Sequence, residues 1–434
     1  MPVPTDWEQT MPNTPRHDSK LAEAVAALCG DHDTTPQQDR ASFPSSALWQ
    51  AVAATGTGLW LDTGDVDAAR ALWTREMSAL TTNNSLLNKE VQKGIYDQLV
   101  PGAAARVREI EPGIAADRLV LELAFVLNAV HGLKLVRTFD ADVSVELHTD
   151  ISHDAEASYQ YGKRFHAICP DRFIVKVPLT PAGLLAARRL HDDGVRLNFT
   201  LGFSARQNWL IAAVARPTWC NVFMGRINAF LGDNGLGDGK NAGEKATLAS
   251  QRCLRKLKAE KGIDVRQIGA SIRNGEQIAD LIGLDVMTMP TAAAKGFVDL
   301  GLEPAGIADR TGDDPAVAFG SADVAGDHLE CFWQTTPEFG KAVDAVAALD
   351  AKTASAADVV SALTAHGAGD LFPAFDAGEA ARVAKDGKIP VHAPWVERVR
   401  AGTASWDGML SAAALASFAA DQQALDDRIR KQIG

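Results

Sequence analysis

One lysine in this sequence stands where a lysine is costly. In Ile174-Val175-Lys176-Val177-Pro178 it is the centre of an apolar run, and a short run of this kind reads as a β-strand. Neighbouring strand residues point to opposite faces, so if Val175 and Val177 face one layer, Lys176 faces the other. An ammonium there is expensive to bury, and the neutral amine is the nucleophilic form, able to attack a carbonyl carbon and make a Schiff base. The bland alternative is a lysine that snorkels at the strand end or pairs with an acid.

Comparable residues recur in other apolar runs. Asp62 ends Trp60-Leu61-Asp62, and Glu146 lies within Val143-Ser144-Val145-Glu146-Leu147. Asn198 and Thr200 share one strand face, and Ser271 and Arg273 share another just after Ile268-Gly269-Ala270. Any one of these could be a structural ion pair. Five strands that send an amine, carboxylates, an amide and hydroxyls inward are harder to explain structurally, because apolar side chains would fill the interior at lower cost. The set favours an enzyme site over a structural one.

Such residues need a scaffold of strands, and the sequence supplies candidates for eight: Gly58 to Asp62, Leu80 to Ser85, Val143 to Leu147, Phe173 to Val177, Leu197 to Leu201, Asn221 to Met224, Gln267 to Ser271 and Asp285 to Thr288. Helical stretches such as Asp154 to Ile168, Pro181 to Asp193 and Ser204 to Ala215 lie between them. Eight strands alternating with helices over roughly 245 residues is the size of a (β/α)8 TIM barrel, whose sites lie at the C-terminal strand ends. A doubly wound sheet also alternates, so periodicity alone leaves that choice open. About 57 residues separate the second and third strands, room for two or three helices. The expected organisation is a polar, partly helical segment over 1–57, a barrel over 58–302, a helical extension over 303–404 with a loop-rich stretch near Gly301 to Gly326, and a C-terminal helix over 405–434 packing on the barrel.

Composition narrows the function classes. The 434 residues carry 43 Lys+Arg against 55 Asp+Glu, a net charge of -12, which argues against a nucleic-acid partner. Local arginines can still make a positive cleft for anionic substrates. Cys29, Cys169, Cys220, Cys253 and Cys331 are scattered, as free thiols of a reducing, cytoplasmic compartment would be. No basic-apolar leader opens the chain, and the most apolar stretch, Leu119 to Leu133, is too short for a bilayer and carries Glu122 and His131; no membrane association is expected. The loop Gly232 to Lys240 lacks the glycine spacing of a phosphate cradle and has Asn241 where Ser or Thr is needed; it reads as a flexible loop. His148, Asp150, His153 and Asp154 offer metal-type ligands but no third, distant one, so no metal is expected. The tryptophans show no regular spacing and read as core.

Taken in order, these motifs resemble the transaldolase family. Leu61-Asp62-Thr63-Gly64-Asp65 is similar to its first strand, Thr81-Thr82-Asn83-Asn84-Ser85-Leu86 to its Thr-Thr-Asn-Pro-Ser-Leu segment, and Glu146 with Asp154-Ala155-Glu156-Ala157-Ser158 to its third strand and helix. Ile174 to Pro178 resembles the lysine strand. Asn198-Phe199-Thr200-Leu201, Phe223-Met224-Gly225-Arg226-Ile227 and Gly269-Ala270-Ser271-Ile272-Arg273-Asn274 resemble strands five to seven. Phe418-Ala419-Ala420-Asp421-Gln422 is similar to the family's C-terminal helix.

The resemblance implies sugar phosphates as substrates, with Lys176 forming the Schiff base and Asp62 taking the C4 hydroxyl proton. It gives Glu146 and Thr200 a proton-shuttling water, and Asn83 and Asn198 the dihydroxyacetone unit. Arg226, Ser271 and Arg273 would take the phosphate, and Ser85, Asn221 and Phe223 would line the substrate site. The imine serves as electron sink, so neither metal nor organic cofactor is implied; a homodimer is compatible. Four features depart from the pattern: Asn84 replaces Pro, Leu147-His148-Thr149-Asp150 replaces Val-Asp-Ala-Arg, Asn221 stands where many members have Ser, and 303–404 has no counterpart. The nearest alternative is a fructose-6-phosphate-type aldolase that releases free dihydroxyacetone. Those relatives carry Tyr at the position of Phe223 and Gln at that of Glu146. A non-catalytic barrel scaffold is a third reading, disfavoured by Lys176, Asp62 and Glu146 together.

Overall fold

The computed structural model describes residues 19–30, 34–320 and 322–434. The first eighteen residues of the expected N-terminal segment lie outside them; within it are helices Ser19–Leu28 and Ala47–Ala54. Eight parallel strands then close a barrel in sequence order: β1 (Gly58–Asp62), β2 (Met77–Thr81), β3 (Asp142–Glu146), β4 (Phe173–Pro178), β5 (Leu197–Thr200), β6 (Trp219–Phe223), β7 (Arg266–Ala270) and β8 (Val286–Met289). β1 pairs with both β2 and β8, which decides for the barrel over the open sheet.

Two strands differ from their expected bounds by more than one residue at an end. β2 ends at Thr81 instead of continuing to Ser85, because the Asn83 side chain accepts from the Leu86 N–H at 2.9 Å and turns the chain into helix Asn84–Gln92. β6 begins at Trp219, earlier than Asn221, and the Trp219 ring meets Trp60 edge to face with centroids 5.1 Å apart. That pair plugs the interior one layer below Asp62, as a packed barrel centre requires.

Three helices fill the long β2–β3 connection: Asn84–Gln92, Leu99–Ile110 and Ala116–Phe139. The last has 24 residues and is longer than its apolar sequence core suggested. By length and composition it could cross a membrane, but 89% of its apolar window is buried inside the fold. Two of its buried polar residues find partners there. Glu122 accepts from the Tyr161 hydroxyl at 2.7 Å and pairs with Arg164. His131 is held between the Tyr96 hydroxyl at 2.8 Å and the Gly64 carbonyl at 2.9 Å, two residues past the end of β1. The carbonyl can only accept, so Nε2 carries the ring proton and Nδ1 takes the tyrosine hydrogen.

After β8 and helix Thr291–Asp299 comes irregular chain with short helical turns, then helices Pro337–Ala347, Ala356–Ala365, Ala377–Asp386 and Val396–Arg400. The first two lie against the barrel helices that follow β5 and β4. The loop at Gly232 to Lys240 is pinned, not free: Asp238 N–H donates to the Ala318 carbonyl at 3.2 Å, and a Cβ on Gly237 would sit 2.2 Å from that oxygen. The chain ends in helix Trp406–Ile433, which crosses the C-terminal mouth of the barrel. At one end Asp407 binds Arg206 and the Ser204 hydroxyl, the latter at 2.7 Å; at the other Arg428 grips Asp97 with bonds of 2.8 and 2.6 Å.

His131 predicts an acid-sensitive element. Burial pushes its pKa down from 6.5 to about 4, so the unfolded chain binds the extra proton between those values and stability falls as pH drops through that window. The full effect is about 3 kcal/mol. Denaturant unfolding at pH 7 and pH 4.5 should show a steeper loss in the native chain than in His131→Gln; equal losses would contradict the assignment.

Candidate active site

Strand parity and register assemble the interior. Val177 packs outward against the helix that follows β4, and Val145 outward against Gly132, so Lys176 and Glu146 turn inward. Register places Glu146 directly beside Lys176, and Lys176 beside Asn198. Lys176 and Glu146 are each 3% exposed, and Nζ lies 3.3 Å from Glu146 Oε2 and 3.3 Å from the Thr82 carbonyl. Phe418, from the C-terminal helix, puts its ring centroid 5.8 Å from the same nitrogen. Water is largely excluded from this amine.

Asp62 faces the pair from β1. Thr81 donates to its Oδ1 at 2.8 Å and meets Thr288 at 2.6 Å, so the three side chains form a short chain across β1, β2 and β8. Burial raises the pKa of both Asp62 and Glu146, with the charge of Lys176 pulling each the other way. Carboxyls whose pKa is lifted towards neutrality can both take and return a proton.

A second network covers the β3–β6 wall. Asn198 donates to the Ser144 hydroxyl at 3.1 Å, and Asn221 donates to Thr200 Oγ1 at 3.1 Å. Asn221 Oδ1 is buried with no partner among the described residues. Phe223 closes the wall with an apolar ring, 5.8 Å from Phe203 and 6.4 Å from Phe418 by centroid.

Arg226 sits in the first turn of helix Met224–Asp233, just past β6. It is 5% exposed, its Nη1 has no partner among the described residues, and its guanidinium lies 5.6 Å from the Phe223 ring and 5.5 Å from that of Phe418. Burial, then repulsion from Arg273, lowers its pKa to about 10. Ser271 turns the β7 end at φ 59°, and a Cβ on Gly225 would lie 2.1 Å from the Ser271 carbonyl and 2.7 Å from Arg273 Nε. Only glycine at 225 lets the two corners approach, and the approach sets both guanidinium groups at one rim. Two cations with an unfilled donor suit an anionic group.

The fold therefore gathers Asp62, Glu146, Lys176, Asn198, Thr200, Asn221, Phe223 and Arg226 on one inner wall, with Ser271 and Arg273 at its rim. Asn83 lies at the β2 corner with its carbonyl oxygen engaged in the helix cap. Ser85 stands apart, bonded to Asp421 of the C-terminal helix. Four contributors went unread in the sequence. Ser144 was legible by parity, two residues before Glu146. Thr81, Thr82 and Phe418 lie within motifs the sequence shows, but their contacts in the site were not legible there, because their partners are distant in sequence.

Residues 59–354 match the sequence profile of the transaldolase/fructose-6-phosphate aldolase family. The chain belongs to that family. It is 31% identical over 236 residues to a transaldolase of Gloeobacter violaceus, which covers 52% of this chain and 59% of that protein. A transaldolase of Synechocystis is 29% identical over 235 residues, 52% of this chain and 59% of its own. One of Xanthomonas euvesicatoria is 29% identical over 234 residues, 52% of this chain and 71% of its own. The chain thus spans about six-tenths of the length of some of these relatives.

Among the described residues, one metal-type cluster also emerges. The sequence offered no distant ligand beside His148 and Asp150, but the fold brings in Asp426, with one ligand atom of each within 4.8 Å of the others. Both ring nitrogens of His148 are in use: Nδ1 accepts from the Asp150 N–H at 3.1 Å and Nε2 faces Asp426 at 3.2 Å. The cluster therefore reads as a latch between β3 and the C-terminal helix.

A buried cation without an acid partner costs stability. Arg226→Met should therefore raise the melting temperature in anion-free buffer, by an amount equivalent to about 1–3 kcal/mol. Inorganic phosphate should raise the melting temperature of the native chain and have little effect on the variant. A variant less stable than the native chain, with an undiminished phosphate response, would show that Arg226 is not the anion seat.

Proposed function

We propose that the protein is a transaldolase: it transfers a dihydroxyacetone unit from sedoheptulose 7-phosphate or fructose 6-phosphate to glyceraldehyde 3-phosphate or erythrose 4-phosphate. The observation that carries this reading is the amine of Lys176, buried on the inner wall 3.3 Å from Glu146 and facing Asp62. In the proposed reaction the neutral amine attacks the ketose carbonyl, and loss of water gives an imine on Lys176. Glu146 and Thr200 hold the water that moves protons during that step. Asp62 then takes the C4 hydroxyl proton, the C3–C4 bond breaks into the imine, and the aldehyde product leaves. An enamine stays on Lys176 until an acceptor aldehyde reverses the sequence.

Asn198 and Asn83 would hold the hydroxyls of the three-carbon unit, with Asn221 beside them, while Arg226, Arg273 and Ser271 take the phosphate. We assign this chemistry to residues 58–302, with 303–404 as a flanking helical extension and 405–434 as cover for the site. Five cysteines, all unpaired, fit a reducing compartment such as the cytoplasm.

Reductive trapping tests the nucleophile. Incubation with fructose 6-phosphate and borohydride should leave one stable adduct, on Lys176; an adduct on another lysine, or none, removes the mechanism.

Free aldol cleavage is the competing reading, and Phe223 favours transfer. Release of dihydroxyacetone needs a proton at carbon and then water at the imine. A tyrosine hydroxyl at this position could polarise that water, whereas the phenyl ring packed between Phe203 and Phe418 cannot. Product formation from fructose 6-phosphate should depend on added erythrose 4-phosphate, and Phe223→Tyr should weaken that dependence. Equal rates with and without acceptor in the native chain would favour the aldolase.

A further inference from the structure

A short chain of hydroxyls ends on Asp62. Thr81 stands opposite Asp62 in the β1–β2 register, and Thr288 stands opposite Trp60 in the β1–β8 register, so the two threonines flank β1. Their hydroxyls meet at 2.6 Å, and Thr81 Oγ1 lies 2.8 Å from Asp62 Oδ1. Both threonines are buried, whereas Asp62 keeps some exposure. Among the described residues, Oδ1 is the one oxygen of this carboxyl with a hydrogen-bond partner.

The direction of the chain follows from counting hydrogens. Each hydroxyl carries one, and an ionised carboxylate can only accept. Thr81 therefore gives its hydrogen to Oδ1, and at the contact with Thr288 it must accept. Hydrogens run one way, from Thr288 to Thr81 to Asp62. We propose that Thr288 and Thr81 are positioning residues for Asp62, whose chain holds Oδ1 as an acceptor and leaves Oδ2 as the oxygen that takes the C4 hydroxyl proton. This rests on the reading of Asp62 as the base. In that step the substrate O–H bond breaks and a new one forms on Oδ2. The freed electron pair closes the aldehyde C=O, and the C3–C4 pair moves into the imine. Oδ1 keeps its hydrogen bond throughout, so the carboxyl takes and returns the proton without turning.

Several charges also face Asp62: Lys176 from β4, Glu146 from β3, Arg273 past β7 and Lys89 from the helix after β2. All of them remain when a single hydroxyl is removed. The Thr81 hydrogen bond favours the ionised carboxylate, so its loss raises the titration midpoint of Asp62.

Valine keeps the branched shape of threonine and its fit to a strand, and deletes only the hydroxyl's chemistry. Carbon-13 NMR of the aspartate carboxyls, with Asp62 assigned from its loss in Asp62→Asn, follows the group directly. The midpoint of Asp62 should rise by about one pH unit in Thr81→Val, the size expected for one hydrogen bond to a charged group, and return in Thr81→Ser. Thr288→Val should give a smaller rise, because it acts through Thr81, and should add nothing in a Thr81→Val background. In the native chain the methyl resonances of Thr81 and Thr288 should titrate with the Asp62 midpoint, a measurement that needs no valine variant to fold. An unmoved midpoint in folded Thr81→Val, no return in Thr81→Ser, a Thr288→Val effect that persists without the Thr81 hydroxyl, or threonine methyls blind to Asp62 would overturn the chain. In single turnover with fructose 6-phosphate, Thr81→Val should form the borohydride-trapped adduct at the native rate. Its release of glyceraldehyde 3-phosphate should slow by roughly tenfold, a fraction of what a general base supplies. A raised midpoint with unslowed release would keep the hydroxyl chain and overturn Asp62 as the base, and with it the assignment of Oδ2.

Discussion

The Lys176 amine and the Glu146 carboxyl, 3.3 Å apart and nearly sealed from water, are what the rest of the barrel interior has to accommodate. Desolvating both groups costs more than their attraction alone returns unless their remaining valences are also satisfied. The fold supplies the Thr82 carbonyl and the Phe418 ring for the amine. Closure of the barrel makes this possible, because only a closed ring of parallel strands points Asp62, Glu146, Lys176, Asn198 and Asn221 at one axis.

The C-terminal helix is as much a part of the site as the strands. It carries no member of the inner-wall set, yet it holds Phe418 over Lys176 and Arg226 and is tied down at its two ends by Asp407–Arg206 and Arg428–Asp97. Between those ties, Asp421 reaches Ser85 and Asp426 reaches His148. A cover held in this way raises the cost of the charges beneath it, and Arg226, with a nitrogen that has no partner among the described residues, shows that cost most openly. Stability given up at such a position is recovered in the large apolar core around the barrel.

The Asp62, Glu146 and Lys176 positions were readable because strand periodicity is short-range. A polar residue inside a β-branched run declares its own face, whatever the rest of the chain does. The same parity makes Ser144 readable from Glu146. In sequence Thr81 and Thr82 read as ordinary strand continuation, and the strand end falls earlier than that reading because the Asn83 side chain accepts from the Leu86 N–H and starts the helix. The helix Ala116–Phe139 runs beyond its apolar stretch Leu119 to Leu133, because propensity does not reveal how far tertiary burial extends a helix.

By itself the sequence determined the alternation of strands and helices, the inward amine and carboxylates, and the family to which the chain belongs, since each depends on residues close together in the chain. Tertiary structure decided which of those residues meet. Barrel closure brought Thr81 to Thr288, the corner after β2 to the Lys176–Glu146 pair, and residues beyond 405 to the mouth. It also supplied the acid that His148 lacked in sequence, 278 positions away, and used it as a latch. Contacts of that kind arise from packing of distant elements, and no local pattern of residue types encodes their geometry.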